Sequence, residues 1–368
     1  MKINLLKLMH GCCAPDAGTL VNTTQNYVNA YDGSTTAFAA PNDLSSLMKT
    51  YYDTELLENA RPNLIHAQFA RKQPLPKGRG KKVEWRKFNT LADASALTEG
   101  VIPTGQKFGQ SSMTASILQY GTYLTVSDQL ELHAIDNVIL SATEELGASA
   151  GTTQDKLVRD TLAAGQTVQY CDKVSAAGAH TAVTTRAGMD TTSKLTPTEV
   201  NKAVTTLKKL KAPTINGKYV AIIHPSVSYD LRENKEWIEA HKYAAVTPLF
   251  TGEIGELHGV RFIETTEAKI WNNNTCPVKT AAGTSGTPAA TYYSVYSTLF
   301  LGKDAFGMID PEGGGLEMIV KSKEQAGGPL NQFSTLGYKF STATKILYQD
   351  RMVRVESLSE YSGTDEAN

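Results

Sequence analysis

A basic stretch followed by an acidic one constrains this chain more than any other feature of its sequence. Residues 71–87 contain eight Lys or Arg and a single acid, Glu84. Residues 128–155 contain six acids and neither Lys nor Arg. The whole chain has 368 residues and a formal net charge of -1, so opposite charges are separated along it rather than interspersed. The fold must therefore present a basic and an acidic element, each solvated or paired with the opposite charge.

The basic stretch predicts an extended hairpin. Prolines and glycines between Pro74 and Gly80 exclude a helix at its start. Val83 and Trp85 then alternate with charged residues, as in a β-strand, and a second alternating stretch covers residues 113–126. A connection of about 25 residues is longer than compact domains normally contain without a function. An internal hairpin of a core sheet is the alternative, but the charged first strand and the long connection favour an extended one.

The acidic stretch predicts a long helix. Asp128 and Glu131 have the spacing of a capping box. Apolar residues recur at intervals of three and four as far as Leu162, with a weak point at the glycines of residues 147–151. About 35 helical residues would span about 50 Å. The sequence therefore predicts an acidic rod directly after a basic hairpin.

The basic hairpin has two candidate partners. It can neutralise the phosphates of nucleic acid, or it can meet an acidic surface on another subunit, where charge sets register and encounter rate. We favour the second, because the acidic helix supplies such a surface and a head-to-tail contact of this kind can close into rings. The predicted basic contact residues are Arg71, Lys72, Lys77, Arg79, Lys81, Lys82, Arg86 and Lys87. The predicted acidic ones are Asp128, Glu131, Asp136, Glu144, Glu145 and Asp155.

Composition excludes several other classes of protein. With 368 residues, 41% of them apolar, the chain is long enough to form two or three compact substructures. A nearly neutral chain is not a generic nucleic-acid binder. No apolar run approaches the roughly 18 residues that a membrane span needs, and the start lacks a secretory signal. We therefore expect a protein that is neither secreted nor inserted in a membrane.

The sequence contains no recognisable catalytic or metal-binding motif. Its four cysteines and seven histidines form no zinc-type cluster, and Walker, nucleophile-elbow and dinucleotide motifs are missing. His224 follows a predicted strand but has no identifiable catalytic partner. We therefore expect no cofactor, no metal and no enzymatic activity. An enzyme with a site built from distant residues is the alternative, and it would need a pocket with convergent titratable groups.

The remaining sequence predicts an α+β protein with a long arm at its start. Residues 14–43 lack Lys and Arg and show no period, which is typical of an extended arm. Residues 44–70 have helical spacing that Pro62 interrupts. Another helix is predicted from Pro197, and strands at 219–223, 292–299, 316–321 and 339–355. The last residues, 356–368, hold four acids and no base, and we expect them to trail on the surface.

Three phrases of this sequence resemble the major capsid proteins of N-four-like short-tailed phages. They are KQPLPKGRGKKVEWRKF at 72–88, LTEGVIPTGQ at 97–106 and LQYGTYLTVSDQ at 118–129. The order of basic strand, tip motif, Gln-Tyr-Gly strand and long helix also matches. The resemblance is strongest over about residues 45–165, looser over the C-terminal half and absent from residues 1–40.

The resemblance implies a Hong Kong 97-type capsid fold. It would make the chain a major capsid protein whose hexamers and pentamers form an icosahedral shell around packaged double-stranded DNA. Its partners would be further copies of itself, the DNA through non-specific contact, and portal, scaffold or decoration proteins, with no membrane. The protein would reside in the virion after synthesis in the host bacterial cytoplasm. An encapsulin-like compartment shell is the alternative.

The resemblance also implies a division of the chain, and it adds Glu99, in the tip motif, to the predicted contact residues. The predicted parts are an arm (1–43), a helical segment (44–70), the extended loop (71–126), a peripheral domain with a spine helix (127–213, completed by 336–356), an axial domain (214–335) and an acidic tail (357–368). The family brings no catalytic residue onto this sequence.

Overall fold

The computed structural model describes most of the chain after residue 63. It describes residues 64–368 except for 79, 89–90, 92, 95, 97–98, 101, 103–104, 134–137, 176–177, 242–252, 281–290 and 327–329. Before residue 64 it describes only two short paired strands. The predicted helix that begins at Leu44 and most of the predicted arm therefore lie outside the described residues.

Helices and strands are mixed along the chain. The helices are α1 (Asp128–His133), α2 (Val138–Ala163), α3 (Pro197–Lys209), α4 (Pro225–Arg232) and α5 (Lys235–His241). The first strands are β1 (Tyr27–Val28), β2 (Thr35–Thr36), β3 (Arg71–Leu75), β4 (Lys82–Phe88), β5 (Gln110–Ser116), β6 (Leu118–Ser127), β7 (Val168–Tyr170), β8 (Lys173–Val174), β9 (His180–Thr181) and β10 (Tyr219–Ile223). They are followed by β11 (Glu253–Leu257), β12 (Val260–Glu264), β13 (Ile270–Trp271), β14 (Val278–Thr280), β15 (Thr291–Tyr292), β16 (Val295–Leu301), β17 (Phe306–Pro311), β18 (Glu317–Lys321), β19 (Phe333–Ile346) and β20 (Met352–Ser357).

The described residues form two compact units. The smaller unit contains residues 119–151 and 314–341, and the larger contains 64–118, 152–313 and 342–368. Helix α2 and strand β19 each contribute residues to both units. The predicted division into peripheral and axial domains stays a prediction.

A seven-stranded sheet forms the centre of the larger unit. Its strands run in the order β11-β12-β10-β16-β20-β7, and the seventh strand, β13, also pairs with β16. The side chains of β10 alternate between two apolar cores: Tyr219 and Ala221 face one, and Val220 and Ile222 face the other. A strand that is buried on both faces reads as a continuous apolar run, which is why the sequence predicted it.

Helix α3 covers one face of this sheet and begins where its sequence predicts. Thr196 is the N-cap, and its side chain accepts a hydrogen bond from the backbone N–H of Glu199. Pro197 occupies the first turn, where its missing N–H has no consequence. Val204 and Leu207 are fully buried in the core, and burial of each stabilises the fold by roughly 1.5–3 kcal/mol. Local sequence thus sets both the helix boundary and its buried face.

Helices α1 and α2 cover most of the predicted long helix, and its start differs from the prediction. Ser127, rather than Asp128, supplies the cap, because its Oγ accepts a hydrogen bond from the backbone N–H of Leu130 at 3.3 Å. Helix α2 continues without interruption through residues 147–151, the weak point of the predicted helix. Residues 134–137, between α1 and α2, lie outside the described part of the chain.

The acidic C-terminal residues pack into the larger unit instead of trailing on its surface. Glu356 is buried and accepts two hydrogen bonds from Arg186, at 2.6 and 2.7 Å, and one from Arg354 at 3.0 Å. Asp365 accepts a hydrogen bond of 2.6 Å from the hydroxyl of Tyr296. The expectation of a free tail was wrong because the sequence shows the acids but not the distant donors that bind them.

Two glycines allow a close approach of strands β6 and β19 in the smaller unit. A Cβ atom on Gly121 would lie 2.5 Å from the backbone oxygen of Tyr338. A Cβ atom on Gly337 would lie 2.8 Å from the backbone oxygen of Thr122. Both distances are far below van der Waals contact, and the atoms that would be met are backbone oxygens, which cannot rotate out of the way as the end of a side chain can. The glycine of the Gln-Tyr-Gly strand therefore has a packing role in this sheet.

Gly121→Ala should lower the stability of the unassembled protein by about 1–3 kcal/mol, as overpacking usually does. The measurement is the midpoint of unfolding in urea followed by circular dichroism. Gly315→Ala is the matched control in the same unit, because nothing lies within 4 Å of a Cβ at that position. Equal midpoints for the two variants would contradict the close approach.

Tyr296→Phe should loosen the C-terminal segment, because it removes the donor to Asp365. Burial raises the pKa of Asp365, but hydrogen bonds from Ser362 and Tyr296 outweigh burial and lower it. The stability that the hydrogen bonds to the Asp365 carboxylate add to the fold should thus be complete above the unfolded aspartate pKa of about 3.9. It should decline as the pH falls below that value. We expect a lower melting temperature at pH 7, with faster hydrogen exchange in residues 359–368. Tyr361→Phe, at an exposed position, should leave both unchanged.

Candidate assembly interface

Strands β4 and β5 form an antiparallel hairpin with two different faces. Their register runs from Lys82 opposite Ser116 to Phe88 opposite Gln110. On one face, Val83 and Trp85 are buried in a cluster with Ile309 of strand β17. Because side chains alternate along a strand, the intervening charged residues point to the other face. The hairpin base is thus anchored to its own chain, and its charged face is left exposed.

The charged face carries the predicted contact residues Lys82 and Arg86, and Lys81 directly precedes the strand. All three are exposed. Arg86 has an ion pair of 3.6 Å with Glu84 on the same strand, and both side chains are largely in solvent. Such a surface pair contributes about 0–1 kcal/mol at most, so it does not prevent Arg86 from binding another anion.

Lys87 has a different environment from these three residues. Its side chain is 31% exposed, and Nζ lies 3.6 Å from Asp350. The same ammonium lies 4.9 Å from the ring centroid of Tyr348, and the guanidinium of Arg351 stacks at 3.8 Å from that ring. Lys87 therefore helps to fasten the hairpin to its own chain.

The first residues of the basic stretch belong to a sheet, not to the hairpin. Strand β3, which includes Arg71 and Lys72, pairs in parallel with strand β17, and both basic side chains are exposed. The Lys77 stem lies over Gly313, so closely that a Cβ on this glycine would be 2.5 Å from Lys77 Cε. The prediction of one hairpin from residue 71 is therefore corrected here. Arg79 lies outside the described residues.

The distal part of the hairpin exposes apolar side chains that sequence reasoning missed. Phe88 and Phe108 stack with ring centroids 4.9 Å apart and are 55% and 64% exposed. Ile102 is 94% exposed, close in sequence to the exposed Glu99. The repeated Lys-Phe pairs at 87–88 and 107–108, on either side of the tip motif, were the available signal.

The predicted acids fall into three groups. Glu144 and Glu145 are exposed on helix α2, and Asp128 is half-buried at the start of α1. Nothing is described of the Glu131 side chain or of Asp136. Asp155 is fully buried, so the interpretation of this residue as part of an exposed acidic surface was wrong.

Asp155 instead binds His66 inside the larger unit. Its two carboxylate oxygens accept hydrogen bonds from the His66 backbone N–H at 2.7 Å and from the ring Nδ1 at 2.5 Å. The proton on Nδ1 is assigned from this geometry. His66 Nε2 has no hydrogen-bond partner among the described residues. The pair fixes the short 3-10 turn before β3 to helix α2, and its members are 89 residues apart in sequence.

One group in the described residues has the composition of a metal site. Asp172, His180 and Glu199 place their ligand atoms within 4.8 Å of one another. The ammonium of Lys202, however, binds both carboxylates, and these hydrogen bonds raise the pKa of Lys202 although burial lowers it. The group therefore already contains its own cation.

In the same described residues, no helix is long and apolar enough to cross a membrane.

The architecture is that of solved phage capsids. The capsid of Ralstonia phage GP4 matches with a TM-score of 0.58 and 12% identity, over 79% of this chain and 87% of that chain. Cyanophage P-SCSP1u matches with a TM-score of 0.55 and 16% identity, over 82% and 89%. Cyanophage Pam1 matches with a TM-score of 0.54 and 10% identity, over 92% and 99%. The Hong Kong 97-type fold predicted from the sequence is confirmed.

Sequence comparison then identifies the family. The profile of the family described as phage capsid protein matches residues 47–326, and the chain belongs to this family. It is a major capsid protein, a structural subunit of the virion shell. No curated protein matches the sequence, and membership of the N-four-like branch stays a prediction.

Asp155→Asn should destabilise the unassembled subunit, because it removes the charge that the two His66 donors bind in a buried site. Disruption of a buried pair typically costs about 3–5 kcal/mol. Glu144→Gln is the control on the same helix and should change stability by less than about 0.5 kcal/mol. Thermal unfolding of both variants checks the assignment. Similar melting temperatures for Asp155→Asn and the wild type would show that the pair has no structural role.

Proposed function

We propose that the subunits tile the shell through a head-to-tail contact in which the hairpin of one copy lies along the acidic helices of the next. The observation that carries this proposal is the two-faced hairpin. Its apolar face is buried against its own chain, while Lys82 and Arg86 are exposed on the other face and Lys81 is exposed just before the strand. Glu144 and Glu145 offer opposite charge on helix α2. Each copy would donate one hairpin and receive another, so that hexamers and pentamers close.

The contact we propose is electrostatically weak at each pair and strong only in sum. Exposed ion pairs contribute about 0–1 kcal/mol each, and salt screens them over about 10 Å at 0.1 M ionic strength. Assembly should therefore be sensitive to loss of several charges together and to ionic strength. The charges are expected to align the subunits and to accelerate encounter more than to set the final affinity.

The shell formed in this way would be icosahedral and would enclose double-stranded DNA. The solved capsids that share the fold are those of phages, and the family is that of phage capsid proteins. A net charge of -1 favours sparse, non-specific contact with the DNA. Portal, scaffold or decoration proteins would be further partners, and synthesis would take place in the host bacterial cytoplasm. DNA protected from nuclease inside particles distinguishes this proposal from a compartment shell that holds cargo enzymes.

Charge reversal of Lys81, Lys82 and Arg86 to Glu should abolish shells and leave the subunit folded. The reason is that three side chains which the acidic helices of the neighbour attract are replaced by side chains which they repel. The measurements are electron microscopy of the assembly reaction and circular dichroism of the unassembled protein. Reversal of Lys208, Lys209 and Lys211, which are exposed at the end of helix α3, is the control with the same change in net charge.

The two variants separate the interface from the net charge of the subunit. If both assemble normally, the hairpin is not a charged contact and the proposal fails. If both fail to assemble, net charge rather than this surface controls assembly. Lys87 is kept unchanged in the test variant because it binds Asp350 of its own chain.

A further inference from the structure

The side chain of His224 caps the N-terminus of helix α4. His224 directly follows strand β10, and its Nδ1 accepts a hydrogen bond of 3.2 Å from the backbone N–H of Ser226. A backbone N–H can only donate, so this geometry assigns the lone pair to Nδ1 and the ring proton to Nε2. Both nitrogens of an imidazolium are donors. The cap therefore exists only while the imidazole is neutral.

The same end of helix α4 holds the C-terminal segment, residues 359–368. Ser359 Oγ donates a hydrogen bond of 2.7 Å to the carbonyl oxygen of Ser226, and Ser226 Oγ donates one of 3.4 Å to Asp365. The capping imidazole packs against the ring of Tyr296 with centroids 4.9 Å apart, and the hydroxyl of this tyrosine donates to Asp365 at 2.6 Å. The cap and the segment thus share Ser226 and Tyr296 as contacts.

Ser226 has no alternative partner in water for the N–H that the imidazole accepts. The residue is 5% exposed, and a buried N–H without an acceptor costs free energy comparable to a lost hydrogen bond. Loss of the cap is therefore felt by the residue that also holds Ser359 and Asp365.

The charges around His224 are distributed over several elements. Asp365 of the C-terminal segment, Glu264 at the end of strand β12 and Glu267 in the following turn attract an imidazolium. The first turn of helix α4 contributes no acid. The two glutamates have their own cations, which are Arg232 for Glu264, and Lys156 and Arg159 for Glu267.

Burial opposes a charge on this ring and has the larger effect. It lowers the pKa of His224, and the attraction of the three acids raises that pKa by less. The positive end of the helix dipole acts in the same direction as burial. Tyr296 faces the ring as a neutral phenol, because burial raises its pKa.

We propose that His224 makes the attachment of the C-terminal segment sensitive to pH: its protonation removes the cap of helix α4 and loosens the segment from the helix. The direction follows from linkage. The pKa of His224 is lower in the folded chain than the unfolded value of about 6.5, so the stability that the neutral ring adds is complete above about pH 6.5. It is lost as the pH falls through the folded pKa. Asp365 titrates only below about pH 3.9, so the histidine responds first.

Hydrogen exchange of the unassembled full chain tests the proposal, with His224→Asn as the comparison. Asparagine is a good N-cap and does not titrate in this range. Exchange is followed from about pH 7.5 to about pH 4.5, on both sides of the free histidine pKa. The ratio of wild-type to variant rates at each pH cancels the intrinsic pH dependence of exchange. We expect equal rates at neutral pH. At the acid end, helix α4 and the C-terminal segment should exchange about fivefold faster in the wild type, the effect of one lost N-cap.

His258→Asn is the matched control. This histidine is exposed and has a φ of 52°, a conformation that asparagine tolerates. The variant should keep the pH dependence of the wild type in both regions. His224→Ala, which has no cap at any pH, should exchange rapidly in both regions throughout the range.

A ratio of wild-type to His224→Asn rates that stays constant with pH would overturn the proposal. So would a change confined to helix α4 with unaltered exchange in residues 359–368. The ring resonances of His224 in the wild-type chain give a readout that needs no variant. The resonances and the exchange of the C-terminal segment should change over the same pH range. Titration of the ring without a change in the segment would also refute the proposal, even if His224→Asn does not fold.

Discussion

Burial of one face of the β4–β5 hairpin determines what its other face can do. Val83 and Trp85 pack with Ile309, and the Trp85 indole N–H donates a hydrogen bond of 3.2 Å to Gln73 on strand β3. Because the side-chain period of a strand is two, a shift of one residue would expose the tryptophan and bury the charges. The apolar contact thus selects the register, and the register presents the basic side chains to solvent.

A second set of contacts joins segments that are far apart in the sequence. The Asp155 carboxylate fixes the turn that precedes strand β3, and Lys77 covers the Gly313 turn that follows strand β17. Strand β3 is therefore held at both ends, and the hairpin leaves the body of the larger unit from a supported base. A hairpin that contacts a neighbour loses less conformational entropy on binding if its base is already ordered.

Features encoded by neighbouring residues could be predicted from the sequence, and features that need distant partners could not. Thr196 and Pro197 mark the start of helix α3 by local capping. In contrast, Asp155 has the same helical spacing as an exposed acid, and only His66, 89 residues away, shows that it is internal. The C-terminal acids were misassigned for the same reason. The tip phenylalanines were missed because charge dominated the interpretation of the surrounding stretch.

The two kinds of surface on the hairpin are suited to different steps of shell growth. Charges act over the Debye length, so the basic face can orient an incoming subunit before contact. Apolar side chains act only at contact, and they mainly lower the rate of dissociation. Since exposed ion pairs are individually weak, errors of placement can be reversed while only charges are engaged. Reversible placement of this kind suits a closed shell that is built from many identical contacts.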